Sequence, residues 1–279
     1  MITVHQGDNL DVLARCRAGS FDFIYIDPPF NTGRPQRRER LKTRRSATGD
    51  RAGFGGARYA TERLGTLAYG DRFDDYLAFL GPRLEQAKRV LSVRGGLMVH
   101  LDAREVHYVK VFLDGLFGRE SFMNEIVWAY DYGARTTKRW SPKHDSILWY
   151  VRDPKRYTFR ANESDRLPYM APGLVTPEKR ARGKLPTDTW WHTIVSPTGR
   201  EKTGYPTQKP LGILERIVKV HTNPGDRLLD FFAGSGSFGD AADRHGRDVT
   251  LVDISPDAIA VMRRRFAGRD VRFVPPRAY

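Results

Sequence analysis

Apolar and polar positions alternate along this chain in two rhythms, and the switches between them mark out its elements. The period-2 run at Ile2 to His5 predicts a strand, Gly7 and Asp8 a turn, Leu10 to Cys16 a short helix, and Phe21 to Asp27 a second strand. A helical stripe follows at about 72 to 92, where Phe73, Tyr76, Leu77, Leu80, Leu84 and Ala87 share one side and Gly81–Pro82 is placed to kink it. Next come the strand "GGLMVHLD" and the helix "AREVHYVKVFLDGLFG", stopped by Gly118. The same alternation returns near the C-terminus: helix Pro210 to His221, turn "NPGDR", strand Leu228 to Phe232, a glycine loop and helix, strand "VTLVDI", helix Pro256 to Phe266 and strand Val271 to Val274. Strands alternating with amphipathic helices predict an α/β fold with a mainly parallel sheet covered on both faces.

Two stretches break the rhythm. Residues 31 to about 66 carry many Gly and Arg with little apolar periodicity, which predicts a long loop. From Glu125 to Tyr150 the runs "EIVWAY" and "HDSILWYV" read as strands, and 152 to 204 is rich in Pro, Gly, Arg and aromatics with no sustained period. The chain divides accordingly into 1–129, a separate recognition region over 130–204, and 205–279.

Chemistry concentrates at two strand ends. In "FIYIDPPFNTG" a buried-strand pattern ends in Asp27, and Pro28 and Pro29 fix φ twice while removing two backbone donors. The turn thus offers a carboxylate and rigid carbonyls to a ligand that donates hydrogen bonds, with the Phe30 ring beside them. "LLDFFAGSGSFGDAA" places Gly234, Gly236 and Gly239 in the dinucleotide spacing, with Asp253 ending the next strand to meet a ribose. A nicotinamide enzyme is one reading. Against it, too little chain follows Gly239 for the rest of such a fold, and Asp230 would repel a pyrophosphate while accepting a cationic amino group. S-adenosylmethionine, an adenosine carrying positive charge and no phosphate, meets both constraints.

Charge adds the partner. The chain has 279 residues, 40% of them hydrophobic, and a formal net charge of +14. Such an excess is commonly kept for a polyanion. "GRPQRRERLKTRR" crowds Arg34, Arg37, Arg38, Arg40, Lys42, Arg44 and Arg45 just after the DPPF turn, a run suited to phosphates. No run of about 18 apolar residues suggests a membrane span, and "MITVHQGDNL" lacks a signal-peptide pattern, so a cytoplasmic protein is the default. Cys16 is the only cysteine, which excludes an internal disulfide and a cysteine zinc cluster; no metal is expected.

These stretches, with "GDNLDVL", "KHDSILWY", "GYPTQKPLGILERIV" and "NPGDRLLDFFAGSGSFGDAA", resemble the DNA amino-methyltransferases of the permuted β group, over Gly7 to Ala242. The resemblance implies a circularly permuted Rossmann-like methyltransferase fold with an inserted recognition region and methyl transfer from S-adenosylmethionine to an exocyclic amine of a flipped base. It places the chemistry on Asp27, Pro28, Pro29 and Phe30. It places the cofactor on Asp8, Asp27, Thr207, Gln208, Lys209, Pro210, Asp230, Phe232, Gly234, Ser235, Gly236 and Asp253. Tyr205 stands where many members have His, and Ser237 where Thr is frequent. Asp at the head of the motif is more usual for adenine N6 than for cytosine N4. Methylation at cytosine C5 needs a thiolate, for which Cys16 is badly placed. Double-stranded DNA is the expected partner, held by Arg37, Arg38, Arg40, Arg44, Arg45, Arg135, Lys138, Arg139 and Lys143; a homodimer is left open. Trp140, Trp190, Trp191 and Tyr169 can pack the recognition region or touch DNA, and for each tryptophan core packing is the expectation. An oxidoreductase on a permuted Rossmann fold and a noncatalytic DNA-binding protein remain as alternatives.

Overall fold

In β2 (Phe21–Ile26) four consecutive residues, Phe23 to Ile26, are buried, and their alternation assigns them to two cores. Phe23 and Tyr25 join the core beneath one set of helices, while Ile24 and Ile26 join the core beneath the other. A computed structural model gives the architecture for residues 1–33, 36–46, 48, 51–52, 58–69, 71–131, 135–196, 199 and 201–276.

In chain order the elements are β1 (Ile2–Gln6), α1 (Asn9–Arg15), β2, β3 (Gln36–Arg45), β4 (Arg51–Ala52), β5 (Arg58–Tyr69), α2 (Tyr76–Val90), β6 (Leu91–Leu101), α3 (Val106–Phe117), β7 (Phe122–Ala129), β8 (His144–Val151), α4 (Pro177–Arg182), β9 (Thr189–Trp191), α5 (Leu211–His221), β10 (Arg227–Asp230), α6 (Ser237–Arg244), β11 (Asp248–Asp253), α7 (Pro256–Arg265) and β12 (Val271–Val274). Nine strands form one sheet in the order β12-β1-β11-β10-β2-β6-β8-β7-β9. All but β8 run in one direction. Helices α1 to α3 cover one face through Leu13, Leu80, Leu84 and Leu113; α5 to α7 cover the other through Ile213, Phe238 and Met262. The predicted parallel α/β sandwich is therefore present.

β10, late in the chain, lies directly beside β2, and this junction of late and early strands is what a permuted chain order produces. The consequence for chemistry is a row of acids. Five adjacent strands, β1, β11, β10, β2 and β6, end at or within two residues of Asp8, Asp253, Asp230, Asp27 and Asp102. Ligands of open α/β sheets settle along this carboxyl edge.

Helix α2 runs unbroken through Pro82, and Gly81 lets the ring of Phe112 approach so closely that a Cβ would stand 3.1 Å from it. Two expectations need correction. The segment read as a long loop after the DPPF turn forms a second sheet: β3 pairs with β5 in antiparallel register from Gln36–Tyr69 to Arg45–Tyr59, with β4 on the far side of β5. Backbone pairing holds such a ribbon whatever its side chains, so an apolar pattern need not announce it. The 130–204 stretch, expected to stand apart, contributes β8 between β6 and β7 and β9 at the sheet's edge. Arg34 lies outside the described residues. Among the described residues, no helix is long and apolar enough to cross a membrane.

Candidate active site

The carboxyl edge opens into a cavity of about 290 Å³ whose walls include Asp8, Asp27, Asp230, Asp253, Phe232 and Gly234. Thr207, Gln208, Lys209 and Ser235 complete the match with the cofactor residues expected from sequence, while Pro210 and Gly236 stay outside the lining. Both have structural work instead. Pro210 caps α5, and Gly236, at φ +73°, starts α6 where a Cβ would meet the Met262 side chain at 2.8 Å. Gly234 is also left-handed, at φ +49°, and a Cβ there would stand 3.0 Å from the Tyr205 ring. The loop is thus held tight by glycine at both positions.

Each acid of the row has its own partners. Asp8 caps α1 by accepting the Leu10 N–H at 2.7 Å, and its other oxygen receives Arg83 Nη2 at 3.3 Å. Asp253 accepts the Gly234 N–H at 2.7 Å and the Ser255 N–H at 2.9 Å, tying the glycine loop to the end of β11. Asp230 accepts the Phe232 N–H at 2.9 Å. Burial pushes the Asp230 carboxyl well above the usual range, with the charges of Asp27 and Asp253 adding to it. Burial likewise raises Asp253 against its backbone hydrogen bonds. The two cations of the lining, Arg83 and Lys209, are already bonded to Asp8 and Asp27. An acidic wall of this kind suits a cationic ligand and opposes a pyrophosphate. Gln208 has both ends of its amide engaged within its own loop, accepting from Thr203 and donating to the Glu201 carbonyl at 2.7 Å. Thr207, β-branched, sits at φ +56°, the sort of backbone outlier that clusters at ligand sites.

At Thr207, Gln208 and Lys209 the first cavity meets a second, of about 760 Å³, lined by Phe30, Trp128, Tyr130, Arg139, Trp140 and Asp145 among others. Asp27, in the wall of the first cavity, is bonded to Lys209, which lines both. Lys209 Nζ donates to Asp27 Oδ2 at 2.6 Å and lies 4.9 Å from the centre of the Phe30 ring, while Oδ1 is buried with no hydrogen-bond partner among the described residues. The turn around it is fixed from several sides: Pro28 is buried, the Pro29 carbonyl accepts the Tyr76 hydroxyl at 2.7 Å, and Asn31, at φ +54°, bonds Glu105 and the Phe73 N–H.

Sequence reasoning missed a buried chain between the cavities. Tyr25 Oη, in the wall of the first, lies 2.8 Å from His100 Nδ1; His100 Nε2 lies 3.1 Å from Asp145 Oδ2; and the Tyr130 hydroxyl donates to Asp145 Oδ1 at 3.1 Å. Burial alone would raise Asp145, but the hydrogen bond and charge of His100, helped by Lys209 and Tyr130, outweigh it and hold the carboxyl below its ordinary value. The "KHDSILWY" run carried a trace of this, since a polar His-Asp pair opening an apolar strand is costly unless partnered.

The sequence matches the N6/N4 DNA methylase family over residues 21–264. The chain belongs to that family. As a methylase of this kind it is an S-adenosylmethionine-dependent enzyme acting on DNA at adenine N6 or cytosine N4, and the oxidoreductase and noncatalytic readings fall away. It is 28% identical over 271 residues to the DNA adenine methyltransferase YhdJ of Escherichia coli K12, covering 94% of this chain and 82% of that protein. Its fold is similar to that of the M1.HpyAVI–SAM complex (TM-score 0.62, 19% identity, 96% of this chain and 100% of the other). It is also similar to PvuII DNA methyltransferase, a cytosine-N4-specific protein (TM-score 0.64, 14% identity, 96% and 87%).

In the methylase the basic residues expected to meet DNA fall in two places. Arg37, Arg38, Arg40, Arg44 and Arg45 lie along β3. Arg135, Lys138, Arg139 and half-buried Lys143 line a shallow groove that joins the second cavity at Arg139 and Trp140. Trp190 is buried as expected, but Trp140 is 97% and Trp191 75% exposed, which corrects the core-packing expectation for both. Trp140 sits in the groove outside the sheet, and Trp191 closes the short edge strand β9, where one side has no neighbouring strand among the described residues. Cys16 is half-buried, its thiol raised by burial, and lines neither of these cavities.

Proposed function

We propose that this methylase modifies the exocyclic amino group of a base flipped out of double-stranded DNA, with adenine N6 favoured over cytosine N4. The observation that carries the reading is the orphaned Asp27 Oδ1: a buried acceptor, on a rigid turn, in the wall of the first cavity and on the side chain bonded to Lys209, a residue that both cavities share. A buried acceptor without a donor costs roughly 1–3 kcal/mol, so a ligand N–H is its natural complement.

The residues fit S-adenosylmethionine in the first cavity. Asp253 and the Gly234–Ser235 backbone suit its ribose, Phe232 and Asp8 its adenine, and Asp230 its positive charge, with Thr207 to Lys209 closing the wall. The cofactor supplies a methyl group on a cationic sulfur. An exocyclic amine is a poor nucleophile because its lone pair is drawn into the ring. Asp27 Oδ1 accepts one of its N–H bonds and turns the nitrogen out of conjugation, while Lys209 fixes the other oxygen so that the acceptor does not rotate away. Phe30 and Trp128 give the base its faces, and the proton released after the new N–C bond forms departs along the hydrogen bond to Oδ1. The target base reaches this pocket only outside the duplex stack. The β3 arginines and the Arg135–Lys143 groove take the phosphates.

The preference for adenine rests on the carboxylate that heads the DPPF motif. Incubating DNA with the protein and methyl-labelled S-adenosylmethionine, then separating the nucleosides by mass, tests it: N6-methyladenine is expected. N4-methylcytosine alone overturns the base preference, and 5-methylcytosine or no label overturns the mechanism.

A further inference from the structure

On the face covered by α5, away from both cavities of the active site, lies a third cavity of about 300 Å³ lined by Trp149, Phe159, Trp190, Arg216 and His221 among others. It shares no lining residue with the other two. Arg216 is only 6% exposed, and its Nε and Nη1 are buried with no hydrogen-bond partner among the described residues. The indole N–H of Trp149 and Nδ1 of His221 are buried and unpartnered as well. Four such atoms on residues that line one hollow are unusual, because a buried polar atom without a partner is costly and a buried charge without one costs far more.

The surroundings do not neutralise the guanidinium. It stacks over the Trp190 ring at 4.9 Å, which eases the burial of a cation only in part. The carboxylate whose field reaches it, Asp165, is exposed and bonded to Lys219 Nζ at 2.6 Å. Asp188, at the rim, is exposed and bonded to Asn124. His221 brings no charge, since burial lowers its ring to about 3. Asn124, Ser164 and Thr187 add neutral polar groups to the lining, and its rings form flat faces: Trp149 and Phe159 stack at 5.4 Å, and His221 meets Trp149 edge-on at 4.4 Å.

We propose that this cavity is a second ligand site, built for a small oxyanion, carboxylate or phosphate, carried on a flat aromatic body. The oxyanion answers Arg216 and takes the Trp149 N–H, while the ring lies among Phe159, Trp149 and Trp190. The volume stands at the lower end of the range for small-molecule pockets, which limits the ligand to one or two rings. The inference does not depend on how the methyl group is transferred.

Calorimetric titration and thermal melting of the full chain, at constant ionic strength, test it with benzoate and phenyl phosphate as probes and benzamide as the uncharged control. One saturable site for benzoate or phenyl phosphate is expected, with a raised melting temperature, no such effect of benzamide, and unchanged affinity for S-adenosylmethionine. Arg216→Met should weaken binding by about tenfold or more, and Trp149→Phe, which keeps the ring and removes the N–H, by a smaller factor. Should Arg216→Met fail to fold, the benzoate–benzamide contrast and Trp149→Phe decide. Equal binding of benzamide, no binding of either anion, or undiminished binding by a folded Arg216→Met protein overturns the proposal.

Discussion

Replacing Asp27 with alanine separates two effects that the structure joins at one side chain. Oδ1 is the proposed acceptor for the target amine, and Oδ2 holds Lys209 at 2.6 Å, with side chains only 17% and 9% exposed. Loss of one preorganised acceptor costs about 3 kcal/mol of transition-state stabilisation, or roughly a hundredfold in rate. Loss of one partner from a mostly buried ion pair costs about 3–5 kcal/mol of stability, because the other charge remains. Asp27→Ala alone should therefore be both inactive and less stable, which leaves the cause of inactivity ambiguous. Adding Lys209→Met removes the stranded ammonium. The double variant should regain most of the stability in denaturant titration, yet its turnover at saturating S-adenosylmethionine should stay at least about a hundredfold below wild type. Affinity of the single variant for S-adenosylmethionine, by calorimetry, should change only a few fold. A double variant that recovers turnover together with stability refutes the reasoning, as does an Asp27→Ala protein with half of wild-type turnover.

Asp253→Ala should weaken S-adenosylmethionine binding and lower stability by about 1–3 kcal/mol, because the Gly234 N–H loses its acceptor; unchanged affinity in calorimetry removes the assignment. For Asp230 the folded state holds the proton more tightly than the unfolded chain, so stability falls as pH rises from the ordinary value of 3.8 through the raised one, and is level above it. Asp230→Asn, which copies the protonated form, should melt higher than wild type at pH 7 without cofactor, by about 2–4 °C for each kcal/mol relieved, and bind S-adenosylmethionine more weakly; a lower melting temperature contradicts this. Neutralising Arg37, Arg38, Arg40, Arg44 and Arg45 should weaken binding to all DNA sequences alike and lower the slope of log affinity against log salt by about 0.9 for each phosphate that the variant no longer neutralises. An unaltered slope means that β3 does not touch the DNA backbone.

Much of this site was legible from sequence because its chemistry lies at the ends of strands. The apolar runs before Asp27, Asp230 and Asp253 are short and continuous, as in strands buried on both faces, and stop at a carboxylate, so the sheet and its acidic edge could be read together. The glycines of 234 to 239 and the DPPF turn are local backbone devices, and local devices survive in one dimension. What could not be read depends on pairing across distance. In "QRRERLKTRR" only Leu41 is apolar, and the apolar positions of "RYATERLGTLAY" do not alternate, so nothing marked β3 and β5 as strands; their register exists only between them. His100 and Asp145 are far apart in sequence and meet because β8 inserts antiparallel beside β6, setting His100 against Ile147. Arg216 and His221 read as the ordinary polar punctuation of an amphipathic helix, and only the packing of Trp149, Phe159 and Trp190 around them shows that they line a hollow.

The central claim is that Asp27 Oδ1 receives the exocyclic amine of the target base. Once the methylated site has been mapped, duplexes carrying either the target base or its analogue without the amino group can be bound to wild-type and Asp27→Ala protein in the presence of a non-reactive cofactor analogue. If the claim holds, removing the amine weakens wild-type binding by about 1–3 kcal/mol and Asp27→Ala binding hardly at all, so that the two changes are coupled. Equal penalties in both proteins would contradict it.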